Sequence, residues 1–528
     1  MRLTDLMPVA DEAVKARTLW PEHELLRRLE VDEGVVEVEV QYEPRLDYAR
    51  APTKIRSHAH ESLLSEHGPA VLLLRSEIPL RVAPDGNSAS GRRVLRAGDR
   101  VTLGLSFTHG SPAVLPPTGD RAQELIQQSI EWWEGWASQC QYDWHYRDEV
   151  IRSALTLKLL TYAPSGAVIA APTTSLPEEI GGVRNWDYRY CWLRDAALTL
   201  RALLDLGYTV EAEAFLSWLV HATRLTSPRL QILYDVYGEA RLAERSLEHL
   251  DGYRSSKPVR IGNNAANQFQ LDVYGEVLDA IHQFVIRGGR LDRTTSRVLV
   301  DLGRTVCDLW KLPDDGIWEP RRGRRQNTHS KVMCWVALDR LVKLHDDGHV
   351  RGPRGLFSAV RDEIRATVER DGWNPETGSY VAYFGASDVD ASLLRLGLCA
   401  YVDPRAPRMI GTTERISERL GVDGLLYRYL TEDGIPGGEG AFGICSYWAI
   451  ECYARQGRLT EATRRFESVL TYANDVGLFS EEFDTKTKAL LGNFPQAFTH
   501  IGLINAALTL AECAGYPQWQ PASRPKHV

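Results

Sequence analysis

The chain has 528 residues, 44% of them hydrophobic and 25% charged, enough for a folded protein with a sizeable core. A formal net charge of −8 argues against nucleic acid or an anionic membrane as a partner, and no apolar run reaches the length of a membrane span. The opening MRLTDLMPVADEAVK has no apolar core of the kind a secretion leader carries, so the chain reads as cytoplasmic.

The first hundred or so residues alternate with period two. Val36, Val38, Val40 and Tyr42 interleave with Glu37, Glu39 and Gln41, and Val101, Leu103, Leu105 and Phe107 interleave with Thr102, Gly104 and Ser106. Both patterns predict half-buried strands of an antiparallel sheet. An apolar run at 70–74 and a turn-rich patch at 84–88 lie between them, and 111–119 reads as a linker. Beyond it the period becomes 3.6. Helices are predicted over 121–140, 145–162, 188–206, 210–224, 267–286, 290–312, 329–344, 356–370, 391–401, 446–456, 460–473 and 498–514. The expected architecture is therefore mainly α, with a strand-rich domain over 1–118 and a helical body over 119–528. Stretches such as WVALDRLVKL and HIGLINAALTL are apolar over much of their circumference, which suits the inner ring of a helical barrel. An open α-solenoid is the structural alternative, but no repeat period is visible.

Residues that carry chemistry gather in the loops. Between Arg184 and Asp195 stand Trp186, Asp187, Tyr188, Arg189, Tyr190, Trp192 and Arg194. Aromatic faces beside charged forks suit a sugar, whose C–H side stacks on rings while its hydroxyls take hydrogen bonds. Glu319 follows Trp318, where an indole wall would desolvate a carboxyl group and let it keep a proton, as a general acid must. On the residues alone, a plain exposed loop glutamate is the favoured reading. Glu481, Glu482 and Asp484 crowd three acids into four positions, although Ser480 can be read as a helix N-cap. Arg428 adds a fork of donors near the glycine-rich Gly437–Gly440 segment. Competing chemistries are poorly supported. His58 and His60 lack an acidic partner at ligand spacing, and no phosphate loop, dinucleotide motif or nucleophile elbow is present. The eight cysteines form no CxxC pair, and most lie in apolar helical patterns, so they read as buried thiols.

The strings PTTSLPEEIGGVRNWDYRYCWLRDA, IGNNAANQFQLDVYGEVLDA, GIWEPRRG, YRYLTEDGIPGGEGAFGICSYW, GLFSEEFD and GNFPQAFTHIGLINAA occur in that order, and together they resemble glycoside hydrolase family 15. This is the family of glucoamylases, glucodextranases and bacterial trehalases. The resemblance implies an (α/α)6 helical barrel preceded by an antiparallel β-sandwich, here truncated at its start or begun at a misplaced start site. It implies inverting hydrolysis, no cofactor and no metal. Glu319 would be the general acid and Glu481 the general base, with Glu482 and then Glu439 as rivals for the base. Inversion would place the two carboxyls roughly 6.5–9.5 Å apart, with room for a water. Tyr188, Trp192, Arg194, Asp195, Trp318, Arg428 and the backbone carbonyl of Ile317 would hold the non-reducing glucose. Phe498 stands where fungal members carry a tryptophan. The expected partner is a small-molecule or oligosaccharide α-glucoside. Trehalose is expected first, and a maltodextrin or isomalto-oligosaccharide second. Neither nucleic acid nor membrane is expected, and a homo-oligomer is left open. A non-catalytic sugar- or protein-binding helical scaffold is the reading from another class.

Overall fold

The structure is a computed structural model that describes residues 1–17, 23–50, 52–58, 62–109 and 116–516. His60 and most of the expected linker lie outside the described residues. The chain divides into two compact units, Met1–Ser138 and Gln139–Val528.

In the first unit the period-two segments form antiparallel strands: β1 (Arg2–Leu6), β2 (Glu24–Glu30), β3 (Val35–Tyr42), β4 (Lys54–His58), β5 (Ser62–His67), β6 (Ala70–Ser76), β7 (Arg81–Val82), β8 (Ala89–Arg96) and β9 (Arg100–His109). A short helix, α1 (Glu12–Lys15), lies between β1 and β2. One sheet runs β1-β2-β9-β6-β5-β4 and a second runs β3-β8-β7. Leu29, Ile55, Leu63, Leu74 and Leu103 of the first sheet share an apolar cluster with Val38, Ala89 and Leu95 of the second. β3 keeps the expected alternation, with Val38 buried between exposed Glu37 and Glu39. β9 does not, because Thr102, Gly104 and Ser106 are buried as well. A helix explains part of this second covered face: α2 (Gly119–Ala137) packs Ala122, Leu125 and Ile126 on Leu26 of the adjacent strand. Pro116 also lies close enough to Gly104 that a Cβ there would meet it at 2.7 Å. This helix falls in the first unit, so the compact units divide some way beyond the change of hydrophobic period.

The second unit is built from α3 (Arg147–Leu159), α4 (Ala196–Asp205), α5 (Thr209–Thr226), α6 (Asp272–Ile286), α7 (Arg293–Leu309), α8 (Thr328–Asp346), α9 (Arg354–Asp371), α10 (Arg395–Leu398), α11 (Pro407–Leu420), α12 (Gly443–Arg455), α13 (Leu459–Leu470) and α14 (Ala497–Cys513). Even-numbered helices pack side by side: α4 with α6, α6 with α8, α8 with α10, α10 with α12, α12 with α14, and α14 with α4. Each odd-numbered helix packs against an even-numbered one. Burial follows the same division. α8 is buried continuously from Thr328 to Val342, whereas α9 buries only Phe357, Ile364 and Val368.

Two helix expectations need correction. The helix predicted over 188–206 begins only at Ala196. Cys191 and Trp192 instead pair as a strand with Leu233 and Tyr234, and Leu193–Asp195 form a single 3-10 turn. α11 was not predicted at all, since its polar sequence PRMIGTTERISERL buries only a narrow stripe. Ser480 caps no helix; its hydroxyl donates to the Glu482 carbonyl inside a loop. The cysteines are free, six of them buried, Cys307 half-buried and Cys513 exposed. Among the described residues no helix is long and apolar enough to cross a membrane.

Candidate active site

The loops that enter the even-numbered helices at their N-terminal ends supply a cavity of about 380 Å³. Tyr188 reaches it from the loop before α4, Gln268 from the loop before α6, Trp318 and Glu319 from the loop before α8, and Arg428 from the loop before α12. Polar groups converge here for a physical reason. Helix N-termini present unpaired N–H groups and positive dipole ends, which favour carboxylates and polar ligands.

Glu319 is half-buried, and its Oε1 accepts from Trp192 Nε1 at 2.9 Å and from Arg194 Nη1 at 3.3 Å. The expected indole wall is therefore arranged differently. Trp192 supplies the hydrogen bond, whereas Trp318 is buried against Phe442 and Trp448. Arg194 also donates to the Ile317 carbonyl at 3.1 Å and pairs with Asp195 at 3.2 Å. Its guanidinium lies 5.1 Å from the Phe498 ring centre. One arginine thus ties together Asp195, Ile317 and Glu319.

Glu481 is 2% exposed. Its Oε1 accepts from the Tyr188 hydroxyl at 2.9 Å, and its Oε2 has no hydrogen-bond partner within the chain. It does not line the cavity wall itself but reaches that wall through Tyr188. Tyr188 and Trp192 make an edge-on contact with ring centres 5.2 Å apart. A single aromatic pair therefore carries both acids, one hydrogen-bonded to each ring. Burial raises the Glu481 pKa, and the negative charge of Glu178 raises it further, against the opposing pull of Arg428, Tyr188 and Arg194.

Glu178 and Glu482 are buried beside it, and burial raises both their pKa values too. Carboxylate oxygens of Glu178, Glu439 and Glu482 lie within 4.8 Å of one another, a spacing that a cation would accept. Arg428 already answers that charge. Its guanidinium bonds Glu439 and approaches Glu178 to 3.7 Å. Glu482 also accepts from the Gly440 backbone N–H at 2.6 Å through Oε2, while its Oε1 has no hydrogen-bond partner within the chain.

Of the residues expected at the site, Tyr188, Trp318, Glu319 and Arg428 line the cavity wall, Glu481, Trp192 and Arg194 stand one hydrogen bond behind it, and Asp195 and the Ile317 carbonyl are reached through Arg194. Others were not singled out from the sequence. Glu178, Asn263, Asn264, Asn267, Gln268, Arg321 and Asp433 also line the cavity. Asp433 fixes Arg184 by two bonds of 2.7 and 2.9 Å, and Arg260 and Arg321 both lie over the Trp186 ring. The available signal for the asparagines and Gln268 was the polar, asparagine-rich string GNNAANQ at a helix entrance.

The chain is similar to several known proteins. The profile described as Glycosyl hydrolases family 15 matches residues 145–508. A protein named trehalase from Thermoplasma acidophilum is 36% identical over 513 residues, covering 97% of this chain and 86% of that one. A protein named trehalase from Mycobacterium tuberculosis is 37% identical over 520 residues, covering 96% of this chain and 76% of that one. A bacterial glucoamylase solved as a complex with acarbose shares the fold at a TM-score of 0.70 and 13% identity, over 93% of this chain and 80% of that one. The chain is therefore a glycoside hydrolase and belongs to glycosyl hydrolases family 15.

Proposed function

We propose that the chain is an inverting, exo-acting α-glucoside hydrolase whose substrate is α,α-trehalose, and that helices α3 to α14 form an (α/α)6 barrel. Side-by-side packing of the even-numbered helices, with α14 returning to α4, supports the barrel. The similarity to proteins named trehalase over nearly the whole chain supports the substrate. Eight free thiols fit a reducing compartment such as the cytoplasm.

The observation that carries the mechanism is the placement of Glu319 and Glu481 on the linked rings of Trp192 and Tyr188. Glu319 is the general acid and protonates the glycosidic oxygen as the bond breaks. Glu481 is the general base and takes a proton from the water that attacks the anomeric carbon from the opposite face. Arg194 and Asp195 hold the far hydroxyls of the attacked glucose, and Arg428 and the Trp318 edge bound the same ring.

The test is glucose release by purified protein from trehalose, maltose, maltotetraose and isomaltose. Trehalose should be cleaved fastest. Glu319→Gln and Glu481→Gln should each lower kcat on it by about 10²–10⁴-fold while leaving thermal unfolding near the wild-type value. Preference for maltotetraose would move the substrate to maltodextrins. Wild-type turnover in either variant would remove that residue from the mechanism.

A further inference from the structure

The acid candidate stands on an unusual piece of backbone. Glu319 has φ of +54°, in the left-handed region that side-chain-bearing residues rarely occupy, and it precedes Pro320. A residue before proline is normally held in extended conformations, because the proline ring crowds its backbone. Two steric preferences thus oppose the conformation that aims this carboxyl at Trp192 and Arg194. Such strain persists only where surrounding contacts over-determine it.

Those contacts come from the loop before α6. Gln268 Nε2 donates to the Glu319 carbonyl at 3.1 Å and to the Pro320 carbonyl at 3.3 Å. With two carbonyl oxygens as neighbours, the amide group must present its nitrogen there, so the assignment of O and N is chemically forced. The loop itself is pinned on both sides of Gln268. Asn263 caps the short turn that follows it by accepting from Ala265 N, and donates to the Asp187 carbonyl at 3.2 Å. Phe269 N donates to Asp315 Oδ2 at 2.7 Å, and Asp315 N returns a bond to the Phe269 carbonyl at 2.9 Å. Leu271 N donates to Asp314 Oδ2 at 3.1 Å. Gln268 therefore projects from a loop laced to the very segment it braces.

We propose that Gln268 is a positioning residue for the general acid. It grips the two successive carbonyls of Glu319 and Pro320 and holds Glu319 in its left-handed conformation, with the carboxyl against Trp192 and Arg194. It makes no bond to the reacting atoms and acts only through Glu319. Without its two donors the backbone relaxes toward negative φ, the carboxyl leaves its alignment, and protonation of the leaving oxygen slows. The proposal rests on the reading of Glu319 as acid.

Substrates that differ in their need for a proton separate this role from a general loosening of the fold. The sugar that departs from trehalose would leave as an alkoxide without the acid, so this substrate requires it, whereas α-D-glucosyl fluoride releases fluoride with little need for protonation. Gln268→Met removes both donors at similar length. Gln268→Glu keeps the shape, replaces the donors with acceptors, and carries the same test should the methionine variant misfold. Either folded variant should lose at least about tenfold in kcat on trehalose, with KM within about threefold, while kcat/KM on the fluoride stays within about threefold of wild type. Glu319→Gln should show the same split, more strongly. Equal losses on both substrates, no loss on either, or failure of both variants to fold would overturn the positioning role. Failure of Glu319→Gln itself to discriminate between the substrates would instead overturn the assignment of the acid. If the wild type cleaves maltose rather than trehalose, the comparison runs with maltose unchanged.

Discussion

The proposed mechanism asks Glu481 to act as a base from a site that disfavours its charge. A base works only when deprotonated, and burial followed by the charge of Glu178 raises its pKa above the ordinary value of 4.5. Activity must therefore rise with pH through that elevated value, so the acidic limb of kcat/KM lies above the range of a free glutamate. Glu178→Gln removes the second-largest cause of the rise and leaves the burial in place. The acidic limb should move to lower pH without reaching 4.5, as followed by initial rates from pH 4 to 9. A limb that stays put or moves upward would show that Glu178 does not set the ionisation of the base. Several residues at this scale were legible in the sequence, because aromatic, arginine and acidic types clustered within short strings such as NWDYRYCWLRD and GIWE. Glu178 and Gln268 were not. Glu178 matters through Arg428 and Glu481, and Gln268 through two backbone carbonyls, all far away in the chain. No local pattern announces such partners.

Contact between elements depends on side chains that are absent as much as on those present. Gly275 lies in α6 where that helix meets α8, and a Cβ there would stand 2.4 Å from the Met333 carbonyl oxygen. In an isolated helix, Gly→Ala would add about 1 kcal/mol of stability. Here the close approach reverses the sign, and Gly275→Ala should destabilise by about 1–3 kcal/mol as the helices are forced apart. A lower midpoint in chemical denaturation is the expected result, and a higher one would mean that the interface can open freely. The same pair of helices is joined by Arg340, which bonds Asp279 at 2.6 Å and Asp339 at 2.7 Å while its Nη2 donates to the Cys399 carbonyl. Helices with continuous apolar faces were legible from periodicity. α11 escaped because its buried stripe is only Met409, Thr412, Thr413, Ile416 and Leu420, two of them threonines. The predicted start of α4 was too early because strand pairing and a turn claim 191–195 before the helix can begin.

For the whole molecule, the functional reading depends on closure. Glu319 and Glu481 lie far apart in the chain, and the packing of the intervening helices sets one against Trp192 and the other against Tyr188, two rings of a single loop. The change of hydrophobic period was visible in sequence as a passage from strands to helices. The true limit of the first compact unit was not, because α2 has an ordinary helical pattern yet covers the sheet of the first unit. The most direct test of the account is the anomeric form of glucose at the earliest times of trehalose cleavage, read by proton NMR before mutarotation. Inversion at the attacked ring gives β-glucose, and the departing ring keeps its α configuration, so equal amounts of the two should appear together. Release of α-glucose alone would mean retention and would contradict the roles assigned to Glu319 and Glu481.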